Sequence, residues 1–60
     1  MPVRWLEKEE RPFVLIDGRL FRVFTDRRRE ITDPDSFAHV LSRSSTITES
    51  EAMELASLDS

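Results

Sequence analysis

His39 is the only histidine of the chain, and Asp33, Asp35 and Ser42 stand close to it in sequence. An imidazole, a carboxylate to orient it and a hydroxyl to activate are the minimum apparatus of nucleophilic hydrolysis. The same residues have a plainer reading, because Asp33 stands before Pro34 as a helix cap does and leaves His39 on the surface of a short helix. Sixty residues also offer little material for the deep, water-excluding pocket that catalysis needs. The expectation is a protein that is not an enzyme and has no catalytic residue.

Three further acids, Glu49, Glu51 and Glu54, bring carboxylates together without the spacing of a calcium loop, and the only glycine, Gly18, lies elsewhere. With no cysteine and one histidine, a Cys/His zinc site is excluded and disulfides are impossible. Neither a metal nor a cofactor is expected.

Arg27-Arg28-Arg29 is the one cluster that suggests nucleic acid, with Arg19 and Arg22 just before it and phenylalanines between. Asp26 and Glu30 flank it, and the whole chain is acidic at net −3, which opposes general affinity for phosphate. A helix-turn-helix built from residues 34–43 and 48–58 fares worse, since its reading helix would carry Glu49, Glu51, Glu54 and Asp59 and no Lys or Arg. That acidity suits a basic partner. Charge is divided along the chain: residues 1–30 hold eight basic and six acidic groups, and residues 31–60 hold six acidic groups against Arg43 alone.

The elements that position these groups begin with RPFVLIDGRLFRVF, residues 11–24. Asp17-Gly18 is a favoured pair for a two-residue hairpin turn, and the segments beside it are rich in β-branched and aromatic residues. With those two residues as the loop, Ile16 faces Arg19, Leu15 faces Leu20, Val14 faces Phe21 and Phe13 faces Arg22. One face then carries Val14, Ile16, Phe21 and Val23; the other carries Phe13, Leu15, Leu20 and Phe24 around Arg22. Both faces are apolar, so the ribbon requires cover on both sides.

Upstream, Val3, Trp5 and Leu6 form a short third strand or an anchor, and residues 7–11 read as a solvated connection. Downstream of a charged loop over residues 26–30, Asp33-Pro34-Asp35 opens a helix whose stripe is Phe37, Val40, Leu41 and Ser44. The Ser/Thr cluster at 42–46 breaks it. Thr48 and Glu51 match a capping box, followed by a stripe of Ala52, Met53, Leu55, Ala56 and Leu58 that ends near Asp59.

The reading is one α+β domain over residues 1–60, a β-hairpin followed by two short α-helices. Seventeen residues are Val, Leu, Ile or Phe, enough for a folded chain but only a thin core. Two helices of this length are expected to cover one face of the hairpin, leaving the other to the N-terminal segment or to a partner. The function expected is therefore a protein-binding or regulatory module, self-associating as a homodimer through hairpin residues drawn from Phe13, Val14, Leu15, Ile16, Leu20, Phe21, Val23 and Phe24. A nucleic-acid regulator using Arg27, Arg28 and Arg29 is the alternative. No apolar run is long enough to span a bilayer and the first ten residues lack the pattern of a secretory signal, so a soluble cytoplasmic protein is expected.

Overall fold

Asp17 and Gly18 both have positive φ, 52° and 79°, so the turn is of the type whose twist matches two antiparallel strands. In the computed structural model, which describes residues 2–58, seven elements follow one another. They are β1 (Val3–Lys8), β2 (Arg11–Ile16), β3 (Arg19–Val23), β4 (Arg28–Glu30), α1 (Pro34–Arg43), β5 (Ser45–Ile47) and α2 (Glu49–Leu58). β2 and β3 pair in the register that a two-residue loop dictates, with Ile16 opposite Arg19 and Phe13 opposite Arg22. A Cβ built on Gly18 meets no atom within 4 Å, so substitution there is opposed by backbone conformation alone. Gly18→Val is expected to cost about 1–3 kcal/mol, read as a lower urea midpoint, and Gly18→Asn clearly less, because Asn tolerates left-handed φ.

β1 is a strand and lies in the plane of the sheet beside β2, Val3 opposite Ile16 and Lys8 opposite Arg11. Part of the stretch read as a connection is thus strand, and the turn shrinks to Glu9-Glu10, at φ 53° and 63°. Two glutamates are a poor choice for left-handed positions, which is why sequence does not announce this hairpin. Glu7 offsets some of the strain by accepting the backbone N–H of Glu10 in a 2.8 Å hydrogen bond. The double replacement Glu9→Asn with Glu10→Gly is expected to raise unfolding free energy by about 1–2 kcal/mol, measured by chemical denaturation.

The loop over residues 26–30 contains a three-residue edge strand and the Ser/Thr break at 42–46 runs into another that ends at Ile47, giving one antiparallel sheet in the order β4-β3-β2-β1-β5. β4 meets β3 with Arg29 opposite Arg22, and β5 meets β1 with Thr46 opposite Leu6. Strands of three residues are too short to show a hydrophobic alternation of their own. Their inner neighbours, β3 and β1, supply the hydrogen-bonding partners.

The chain leaves β4 at one edge and re-enters at β5 on the other, so α1 must cross the sheet. That width is about 19 Å, four strand spacings, and a ten-residue helix supplies ~15 Å of it. α1 crosses one face, where Val40 joins Leu6, Phe13 and Leu20, with Leu15, Ile31 and Phe37 against them. At the β5 edge the chain turns to the other face. There α2 lays Ala56 against Val14 and Val23, beside Trp5, Ile16 and Phe21.

The expectation that both helices share one face is corrected by this arrangement. Each takes one side of the sheet, so Phe13, Val14, Leu20 and Val23 are buried within the chain and Leu15, Ile16, Phe21 and Phe24 are half-buried. Seven of the eight hairpin residues read as an interface are core or packed against it; the eighth, Phe24, is half-buried beneath the guanidinium groups of Arg22 and Arg27. The physical reason is the crossover, since a connection that enters on one face and ends at the far edge leaves the next helix free to fold back over the other face.

Both helix starts form as their sequences dictate. The Asp33 carboxylate accepts the backbone N–H of Ser36 at 3.0 Å and its hydroxyl at 2.8 Å. Thr48 and Glu51 close a reciprocal capping box, the Glu51 N–H donating to Thr48 Oγ1 at 3.1 Å and the Thr48 N–H donating to Glu51 Oε1 at 3.0 Å. Asp59, near which sequence ends the second helix, lies outside the described residues.

Candidate functional site

β-Strand alternation decides what the three arginines can do together. Arg28 stands opposite Val23, on the α2 side of the sheet, and lies over Trp5 with its guanidinium carbon 5.6 Å from the ring centroid. Arg29 stands opposite Arg22, on the α1 side. Arg27 precedes the strand, stacks on Phe24 at 4.7 Å and makes an exposed ion pair with Asp26 at 3.3 Å. The triplet is therefore divided between two faces and a turn, and does not present one basic surface.

On the α1 side an open cleft of 640 Å³ runs between the sheet and the first turns of α1. Buried Phe13 and Val40 contribute to it, as do Arg29, His39, Asp33 and Asp35. His39 and its neighbouring acids Asp33 and Asp35 thus share a cleft. Among the described residues no hydrogen bond joins the imidazole to Asp33, Asp35 or Ser42; the Ser42 hydroxyl donates instead to the His39 carbonyl at 3.1 Å. The Asp33 carboxyl is held below its ordinary range by the hydrogen bonds from Ser36, hydroxyl first and backbone second. No group of three or more His, Asp or Glu among the described residues is disposed to hold a metal ion.

Glu30 turns to the other face and takes Arg19 in two hydrogen bonds of 2.9 and 2.7 Å, which hold its carboxyl below the usual range. Two carboxyls whose folded pKa lies below the unfolded value stabilise the fold above the unfolded pKa and cease to do so as pH falls through the folded one. Stability is accordingly expected to decline with acidification from the ordinary carboxylate range, about pH 4. Combining Glu30→Gln with Asp33→Asn should flatten that decline, as followed by urea midpoints across an acid series.

The opposite edge carries a different surface. Between α2 and the β1/β5 side of the sheet lies a groove of 430 Å³ lined by Ile47, Leu55 and Leu58 and by Glu7, Glu10, Glu51 and Glu54. Its apolar part arises because α2 turns Ala52 and Ala56 inward and leaves Leu55 half-buried and Leu58 78% exposed. Its acidic part has two origins: Glu51 and Glu54 come from the helix, and Glu7 and Glu10 from the β1–β2 hairpin. None of the four is in an ion pair among the described residues.

Arginines of β3 and β4 gather toward one edge of the sheet, and the groove carboxylates lie toward the other, where β1 also brings Arg4 and Lys8. On sequence grounds the acidity of residues 48–60 suits a basic partner or a solvated face, and nothing in the sequence links Glu7, Glu10 or Ile47 to it. Only the pairing of β1 with β5 brings them to the groove. No helix among the described residues is long and apolar enough to cross a membrane. Compared with protein-family models, curated proteins and solved structures, the chain matches none.

Proposed function

We propose that this chain is a non-catalytic protein-binding module of regulatory type, which presents the groove beside α2 to a partner segment that is both basic and apolar. The observation that carries this reading is the coincidence of exposed Leu58 and half-buried Leu55 and Ile47 with four carboxylates that are in no ion pair among the described residues. Apolar contacts exclude water, and the carboxylates select positive charge and raise the association rate. A homodimer resting on the hairpin faces would have to displace one of the covering helices, which turns attention to surfaces outside those faces, the groove among them.

The test is a peptide array in which charge and apolar content are varied independently, probed with the purified chain. Basic-apolar peptides should be retained, with retention falling as salt rises, and acidic-apolar peptides should not. Leu58→Ala should weaken retention while leaving stability within about 0.5 kcal/mol, as exposed positions generally do. Equal retention of both peptide classes would sink the reading.

A nucleic-acid module is the second reading, favoured by the stacking of Arg22 and Arg27 on Phe24, at 5.0 and 4.7 Å. The divergence of Arg28 and Arg29 opposes it. Binding to a generic duplex at physiological salt is expected to be no tighter than the ordinary nonspecific range, about 10⁻⁴–10⁻⁶ M. Tighter binding that is lost on replacing Arg27, Arg28 and Arg29 by Gln would reverse the order of the two readings.

A further inference from the structure

The two edges of the sheet are guarded very differently. An edge strand exposes unpaired backbone N–H and C=O groups, and proteins ordinarily protect such edges with charged side chains. β4 has that protection in full: Arg28, Arg29 and Glu30 are all charged. β5 reads Ser45, Thr46, Ile47, carries no charge, and has no strand beyond it among the described residues. The unguarded edge is also held in place. Arg4 on β1 donates through Nε and Nη2 to Thr46 Oγ1 at 3.2 and 3.0 Å, and the capping box at Thr48 fixes the chain immediately after the strand.

Ile47 connects this edge to the groove. It stands opposite Trp5, on the α2 side of the sheet, and it lines the groove with Leu55 and Leu58. A strand laid along β5 would place every second side chain on that same side, about 7 Å apart. The middle one of three would meet the apolar lining, and those before and after it would reach the carboxylates of Glu7, Glu10, Glu51 and Glu54.

We propose that β5 is a docking edge to which an extended segment of another protein adds as a sixth strand, its sequence following the pattern basic, any, apolar, any, basic. This deepens the groove reading and rests on it: backbone hydrogen bonds to β5 give the affinity, and the acid-rimmed groove gives the preference for cations at the two outer positions. The fit is to an extended chain, since alternate residues must enter one side while the backbone pairs with the edge.

The experiment uses the full chain and a short capped peptide of sequence Arg-Thr-Val-Thr-Arg flanked by threonines, with three controls. One control is N-methylated at alternate amides on the pairing edge, one carries Glu in place of Arg, and one is a helical peptide with the same charge and apolar content. Titration followed by amide chemical shifts should perturb residues 45–47 together with Glu51, Leu55 and Leu58. N-methylation and the change to Glu should each weaken binding tenfold or more. Ser45→Lys, at an exposed position, should weaken the parent peptide to a similar degree without altering the unfolding midpoint.

Equal binding of the N-methylated or helical peptide, with the β5 amides unmoved, overturns strand addition and leaves the groove reading standing. Failure of every basic peptide to bind overturns both. Concentration-dependent mass without peptide, abolished by Ser45→Lys, would show that the edge is filled by a second copy and would overturn the assignment to a foreign segment.

Discussion

Leu20→Ala is expected to lower the unfolding free energy by about 3–5 kcal/mol, toward the upper end of what leucine truncations cost. Leu20 is fully buried on β3, stands opposite Leu15, and lies in the cluster of Leu6, Phe13 and Val40. Truncation removes the transfer free energy of the lost carbons and leaves a cavity. Collapse into that cavity is resisted because sheet hydrogen bonds fix the three strands that carry Leu6, Phe13 and Leu20, and α1 contributes a single buried residue, Val40. Total stability for a chain of this length is about 3–9 kcal/mol, so the loss takes much or all of it. Urea unfolding followed by circular dichroism should show either a midpoint near zero denaturant or no cooperative transition. A shift below about 1 kcal/mol would mean that α1 repacks into the space. Leu15→Ala, at a half-buried position of the same face, should cost distinctly less.

The second large effect runs the other way in volume. Ala56→Leu is expected to destabilise by about 1–3 kcal/mol, because it inserts three carbons where α2 meets the sheet. Ala56 is 2% exposed against Val14 and Val23, and Ala52, one turn earlier, is also buried. Two alanines at this spacing let the helix sit low on a face already filled by Trp5, Ile16 and Phe21. A leucine there has no gap to enter, so the helix must lift or turn. Rotation of α2 would also move Leu55, Leu58, Glu51 and Glu54, and the groove would lose its shape together with the stability. The contrast with Leu58→Ala separates the two roles: one substitution should alter binding alone, the other binding and unfolding midpoint together. A neutral Ala56→Leu, measured by thermal and urea melts, would show that α2 packs more loosely than its buried alanines imply.

The sheet edge and the groove belong to one another through chain tracing. β5 lies next to β1 because α1 carries the chain across the sheet, and the turn into α2 at that edge places the acidic helix beside the β1–β2 hairpin. The basic edge on β4 is separated from it by the width of the sheet. Under the proposed role, a basic segment would be met at one side, and the charged strand at the other is of the kind that disfavours edge-to-edge pairing.

What sequence alone determined is the part whose cause lies among near neighbours. Asp17-Gly18 sets both the central hairpin and its register, because an Asp-Gly pair readily takes the two left-handed conformations that close a two-residue loop with that twist. Asp33-Pro34 and the Thr48/Glu51 capping box set where the helices begin, because they satisfy N–H groups that no preceding turn can reach. Tertiary structure decided the rest. β4 and β5 are strands because β3 and β1 offer them partners, the latter far away in sequence, and three residues are too few to carry a periodicity that reveals it. Residues 51–58 contain two possible inward stripes, Ala52 with Ala56 and Leu55 with Leu58. Hydrophobicity alone favours the leucines. The sheet face was already crowded with Trp5, Ile16 and Phe21, so close approach of the helix backbone selected the alanines, and the leucines turned outward to line the groove.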